Sequence, residues 1–166
     1  MSYTLNATPY TLNLIDTPGH SDFSYEVSRA FEAVEGAILL VDATKGIQAQ
    51  TLANFESAKK SKLKIIGALN KIDLEPIRAE EIVKETAELI GCAPEEILKI
   101  SGKTGEGVEK LLEEIIKRLP APTTSKPVPS GEYLGLTKAL IFDSFYNEHK
   151  GVIAAIRIFE GELKAE

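Results

Sequence analysis

The chain has 166 residues, 43% of them hydrophobic and 27% charged, with a formal charge of −6 at neutral pH. That length supports one buried core and part of a second, and the acidic balance argues against a phosphate-binding surface spread over the chain, so no direct nucleic-acid patch is expected. The longest apolar runs, such as AILLV at 37–41, are too short to cross a bilayer, and a lone cysteine, Cys92, closes no internal disulfide.

Residues 3–6 and 10–15, YTLN and YTLNLI, flank Ala-Thr-Pro and read as an antiparallel hairpin, its second strand running on to Asp16. Phe23, Val27, Ala30, Phe31 and Val34 then recur at helical spacing, behind Ser21 or Asp22 as N-cap. The run GAILLVDA at 36–43 has the pattern of a strand covered on both faces. A helix is predicted within 47–61, a buried strand at 64–70, a helix over 78–90 ending at Gly91, and a strand at 97–101. The clearest helix is 107–119, where Val108, Leu111, Leu112, Ile115, Ile116 and Leu119 form one stripe and Pro120 stops it. Strands alternating with helices predict an α/β fold: a mostly parallel sheet with helices on both faces. Residues 120–131 hold four of the eight prolines and read as a semi-rigid linker. Beyond it, two β-rich runs around NEHKG at 147–151 open an all-β module that two or three strands cannot complete. Cys92 reads as a small core residue, and with no charged-then-apolar leader a reducing, cytoplasmic setting is expected.

In a parallel α/β sheet, ligands gather outside the carboxyl ends of the strands. Those positions hold Asp16, Asp42, residues 70–73 and residues 101–103. Asp16 suits a divalent cation held through water, Gly19 brings a backbone N–H close to a phosphate oxygen, and His20 is placed to orient an attacking water or stabilise charge. Alone, Asp-Thr-Pro-Gly is a common turn sequence. Asn-Lys-Ile-Asp at 70–73 suits a guanine ring. Asp73 can accept from the ring N1–H and the exocyclic amine, Asn70 can reach the other edge, and the Lys71 stem can cover a ring face. By itself this tetrapeptide also fits a solvated turn. Ser101, Gly102 and Lys103 follow the next strand, offering backbone N–H groups for the base carbonyl and a second lysine stem. The three groups in order favour a nucleotide site over coincidence.

With DTPGHSDF, NKID and SGK in that order, the sequence resembles the GTPase domain of the translational GTPase family, matching its third, fourth and fifth nucleotide motifs. Residues 22–55 and 139–164 are most similar to its LepA-like group, the ribosomal elongation factors of back-translocase type, and the resemblance runs from about Tyr10 to Lys164. It implies a P-loop-type GTPase fold that binds GTP or GDP and hydrolyses GTP with Mg²⁺ on the ribosome. In that reading His20 positions the water, Asp16 stands in the outer shell of the metal, and Asp16, Gly19, Asn70, Lys71, Asp73, Ser101, Gly102 and Lys103 contact the nucleotide. Ser21 stands where valine is usual, and Gly102 where alanine is usual.

Family members open with a strand, a Gly-x-x-x-x-Gly-Lys-Ser/Thr phosphate loop, a helix and a switch segment, and no such loop occurs in these 166 residues. The expected organisation is a partial GTPase domain at 1–119 lacking its first strand and phosphate loop, a Pro-rich linker at 120–135, and the first strands of a β-barrel at 136–166. Nucleotide binding by these residues alone is expected to be weak and hydrolysis absent. The alternatives are another translational GTPase, of translocase or BipA type, and a non-catalytic interaction module. The expected partners are the ribosome and a guanine nucleotide, in the cytoplasm, at the inner membrane face or in an organelle.

Overall fold

A computed structural model describes residues 1–17, 24–122 and 137–164. The chain opens with a hairpin of β1 (Ser2–Leu5) and β2 (Thr8–Thr11), paired from Ser2↔Thr11 to Leu5↔Thr8. The turn is Asn6-Ala7, both left-handed at φ 49° and 62°, so it falls one residue before the predicted Ala-Thr-Pro and leaves Pro9 inside β2, opposite Thr4. Two right-twisted strands joined by two residues require that handedness. Pro9 is tolerated because, among the described residues, the outer edge of β2 in this two-stranded sheet carries no strand.

Pairing ends sooner than the sequence predicts. The Met1 ammonium and the Leu12 carbonyl are 2.9 Å apart and the Leu12 N–H donates back at 2.8 Å, but residues 12–17 lie outside any strand. A strand persists only where a neighbour supplies a ladder. Among the described residues none runs beside 12–17, and Leu14 is 64% exposed.

The centre is a parallel sheet in the order β3 (Gly36–Asp42), β4 (Lys64–Asn70) and β5 (Leu98–Lys99). Gly36 pairs with Lys64 and Asp42 with Asn70, so β3 and β4 end level. The predicted strand at 97–101 shrinks to two residues, although the Ile100 N–H still reaches the Leu69 carbonyl at 2.8 Å. Helices cover both faces. Against one pack α2 (Ala49–Lys60) and α3 (Pro76–Ile90), through Phe55, Ala79, Ile82, Val83 and Ala87 over Leu39, Val41 and Leu69. Against the other packs α4 (Val108–Arg118), whose Leu111 and Ile115 meet Ile66, Ala68 and Leu98. Every apolar residue from Ile66 to Leu69 is therefore covered, as the continuous run predicts. Cys92 lies half-buried at the margin of the first cluster, and burial pushes its thiol up from the ordinary value.

The helix boundaries follow local chemistry. The third starts two residues earlier than predicted, because Pro76 is suited to a first turn whose N–H groups are unbonded anyway, and it ends at left-handed Gly91. In β4, Gly67 lies close under two isoleucines: a Cβ there would stand 2.6 Å from Ile97 Cδ1 and 2.7 Å from Ile90 Cδ1, so both side-chain ends would have to shift.

Ser24–Glu32 forms α1, a shorter helix than the spacing predicts, its lead-in at 18–23 lying outside the described residues. It packs against β6 (Lys138–Asn147), which pairs antiparallel with β7 (Gly151–Glu160) around the predicted turn. There Asn147 Oδ1 accepts from the N–H groups of His149 and Lys150. Arg157 ties this hairpin to the α/β unit, donating to the Ala33 carbonyl at 2.6 Å and pairing with Glu35. Among the described residues, no helix is long and apolar enough to cross a membrane.

Candidate functional site

Because β3 and β4 end level, Asp42 and Asn70 emerge side by side, and the loop after β5 folds in next to them. Asn70 Oδ1 accepts from its neighbour Lys71 N–H at 2.8 Å and from Gly102 N–H at 3.0 Å. Its own carbonyl accepts from Ala43 N–H at 2.8 Å, so one residue bonds to the loops of both flanking strands. Lys71 takes a left-handed backbone, φ 66°, which a non-glycine residue adopts only where its surroundings fix it.

Asp73 comes next in the same loop. Its Oδ1 accepts from Ser101 Oγ at 2.7 Å, and that hydroxyl oxygen accepts in turn from Thr104 N–H at 3.1 Å. Ser101 is fully buried, so its hydroxyl is committed in both directions and fixes the carboxylate's orientation. The Ser101–Glu106 loop is closed by backbone bonds from Gly105 N–H to the Ser101 carbonyl and from Ser101 N–H to the Glu106 carbonyl. A Cβ on Gly102 would stand 3.7 Å from Asn70 Oδ1, an ordinary contact, so the alanine usual in the resembling family fits here.

Asp42 carries the site's strongest electrostatics. One oxygen lies 2.6 Å from Lys71 Nζ; the other accepts from the Thr44 N–H at 2.8 Å and the Thr44 hydroxyl at 2.6 Å. Partial burial by itself would raise its pKa, but the hydrogen bonds from Lys71 and Thr44 and the lysine charge outweigh that and hold it at about 2. Arg78, from the first turns of α3, donates to the Thr44 carbonyl at 3.0 Å and steadies the same loop.

Of the residues singled out from sequence, the structure brings together Asn70, Lys71, Asp73, Ser101 and Gly102, with Lys103 exposed on the adjoining turn. The Gly102 N–H, expected at a base carbonyl, is donated to Asn70 Oδ1 in this structure. Asp16 is exposed in the unpaired stretch after β2, with no hydrogen bond to the cluster among the described residues. Gly19 and His20 lie outside the described residues. The roles of Thr44 and Arg78 were not read from the sequence, and Asp42 was noted only as a strand-end position. The signal for Asp42 was present, since it closes an apolar run as Asn70 does. Two hollows of about 290 and 300 Å³ lie beside α4, lined by Glu95, Leu98 and Lys110, and include none of the strand-end residues singled out here.

Residues 2–121 match the sequence model of the elongation factor Tu GTP-binding domain. The chain is 49% identical over 163 residues to elongation factor 4 of Kineococcus radiotolerans, covering 98% of this chain and 25% of that protein. It is 52% identical over 159 residues to elongation factor 4 of Thermobifida fusca, covering 96% and 25%, and 54% identical over 155 residues to that of Rubrobacter xylanophilus, covering 93% and 24%. The chain thus spans about a quarter of the length of these curated relatives. Among solved structures, elongation factor SelB of Methanococcus maripaludis, in complex with the GTP analogue GppNHp, superposes with a TM-score of 0.67 at 24% identity over 95% of this chain and 34% of that one, a likeness of fold.

Proposed function

The chain belongs to the family of the elongation factor Tu GTP-binding domain, and from that premise we propose that its strand-end cluster is the guanine-reading part of a GTP-hydrolysing elongation factor that works on the ribosome. The observation that carries this reading is the cross-bonding of the two loops: Asn70 to Gly102 at 3.0 Å and Asp73 to Ser101 at 2.7 Å. Such bonding sets a carboxylate and an amide at fixed separation before any ligand arrives, which favours recognition of one planar ring. Asp73 has an oxygen beyond the one held by Ser101 to accept from the ring N1–H and the exocyclic amine. Asn70 faces the other edge, and Lys71 and Lys103 cover the ring with their stems.

The catalytic half of the proposal lies upstream. Asp16 is an exposed carboxylate, and Mg²⁺ is commonly held by one or two carboxylates with retained waters and substrate phosphates, so Asp16 fits an outer-shell role. That ion would neutralise charge on the phosphates. Gly19 would offer a backbone N–H to the terminal phosphate and His20 would orient the attacking water. These 166 residues contain no Gly-x-x-x-x-Gly-Lys-Ser/Thr, so alone they are expected to bind nucleotide weakly and not to hydrolyse GTP. We assign 1–119 to the GTPase unit, 120–135 to a linker and 136–166 to the start of a β-barrel.

Binding is tested by titrating the chain with GDP and ADP and following the amide resonances of residues 70–73 and 101–105. A response to GDP exceeding that to ADP supports the reading, and equal responses overturn it. Hydrolysis is tested in a chimera carrying residues 1–166 in place of the matching quarter of the Thermobifida fusca protein. On ribosomes, His20→Ala should slow turnover roughly 10²-fold with GTP affinity changed only a few-fold. Unchanged turnover would remove His20 from the mechanism.

A further inference from the structure

Lys71 is placed with unusual care for a half-exposed lysine. Its backbone is left-handed, its N–H is bonded to Asn70 Oδ1, and its ammonium reaches back across the sheet end to Asp42, 2.6 Å away. Asp42 is itself immobilised: both the N–H and the hydroxyl of Thr44 bond its other oxygen, and Arg78 holds the Thr44 carbonyl. The lysine stem is therefore stretched between two fixed points, its own backbone beside Asn70 and the Asp42 carboxylate at the end of β3.

We propose that Asp42 is a positioning residue for base recognition, holding Lys71 so that the lysine stem already forms a wall for the purine ring before the ring arrives. The inference rests on the guanine reading given above. A lysine has four rotatable side-chain bonds, and ordering such a chain on binding weakens affinity unless the ordering has been done beforehand. The ion pair does it beforehand. Asp42 touches no part of the ligand in this arrangement, so its effect passes through Lys71.

The test is a double-mutant cycle on the full 166-residue chain, with GDP as probe and ADP as control, both titrated to millimolar concentration. Asp42→Asn keeps an oxygen for Thr44 and removes the charge that faces Lys71; Asp42→Ser serves if that variant does not fold. The expected result is a three- to tenfold loss of GDP affinity, a comparable loss in Lys71→Met, no further loss in the double variant, and partial recovery in Asp42→Glu. If the loss from Asp42→Asn persists undiminished in the Lys71→Met background, Asp42 acts through its own turn and the inference falls. It falls equally if Asp42→Asn leaves GDP affinity unchanged while Asp73→Asn still abolishes the preference for GDP, a result that spares the guanine reading. Equal binding of GDP and ADP by the unaltered chain removes the guanine reading and this inference with it.

Discussion

Residues 64–106 and residues 1–17 carry comparable sequence signals, an apolar strand ending in polar residues that suit a phosphate ester or a base, yet they fold to different degrees. In the first region β4 lies between two neighbours, its apolar residues are covered on both faces, and the loops after β4 and β5 are bonded to each other. In the second, β2 pairs among the described residues only with β1, the ladder stops at Thr11, and Leu14 and Asp16 are exposed. Polar groups are held at fixed separation only where the strands beneath them are laddered and buried. β3 shows both conditions at once: its ladder to β4 fixes Asp42, while its other edge carries no strand among the described residues and Leu40 is 53% exposed.

The sharpest way to break that comparison is a matched pair of truncations. Leu69→Ala removes a fully buried side chain and should lower unfolding free energy in urea by roughly 3 kcal/mol. Leu14→Ala should change it by less than about 0.5 kcal/mol. A large cost at Leu14 would mean that the opening segment is packed after all. Next in size is Ser101→Ala, which leaves the Thr104 N–H without its acceptor and Asp73 without the donor from the buried Ser101 hydroxyl. The expected cost is roughly 2 kcal/mol, with faster amide exchange across 101–106. An unaltered exchange pattern would show that the loop is held by its backbone bonds alone.

Acid separates the regions further. Asp42 is held at about 2, below the carboxylate's usual 3.8. A group whose folded pKa is depressed stabilises the fold above the unfolded value and loses that contribution as pH falls through the folded one. Stability should therefore drop between about pH 4 and pH 2, by roughly 1 kcal/mol for this group after allowance for solvent screening. In Lys71→Met the same acid limb should flatten, and an identical limb would assign the acid sensitivity elsewhere. The smallest effect is a gain. Thr86 on α3 is fully buried and, among the described residues, its hydroxyl has no partner, so Thr86→Val should raise the melting temperature by a few degrees, about 1 kcal/mol.

The apolar periodicity of α4, the continuous run of β4 and the glycine at 91 gave those elements their type and, within two residues, their limits, because each is decided by its own residues and their burial. The end of β2 was not legible: whether residues 12–16 form a strand depends on a neighbour, and their alternation carries no information about one. Ile97 and Ile100 are buried like strand residues, yet β5 shrank because pairing with β4 extends only over Leu98 and Lys99. The base-facing residues were legible as types in order. Their mutual bonds, and the pairing of Asp42 with Lys71, came only with the level ends of β3 and β4, since neither the register of a parallel pair nor the reach of a lysine is written in spacing.

The central claim, that Asp73 reads a guanine ring, is tested most directly by exchanging its carboxylate for an amide. In Asp73→Asn, titrated with GDP and xanthosine diphosphate, the account predicts weaker GDP binding, by roughly tenfold or more, and stronger binding of the xanthine nucleotide, whose 2-oxo group accepts where guanine's amine donates. An unchanged preference for GDP over xanthosine diphosphate, in a protein whose circular dichroism and melting temperature match the unaltered chain, would contradict it.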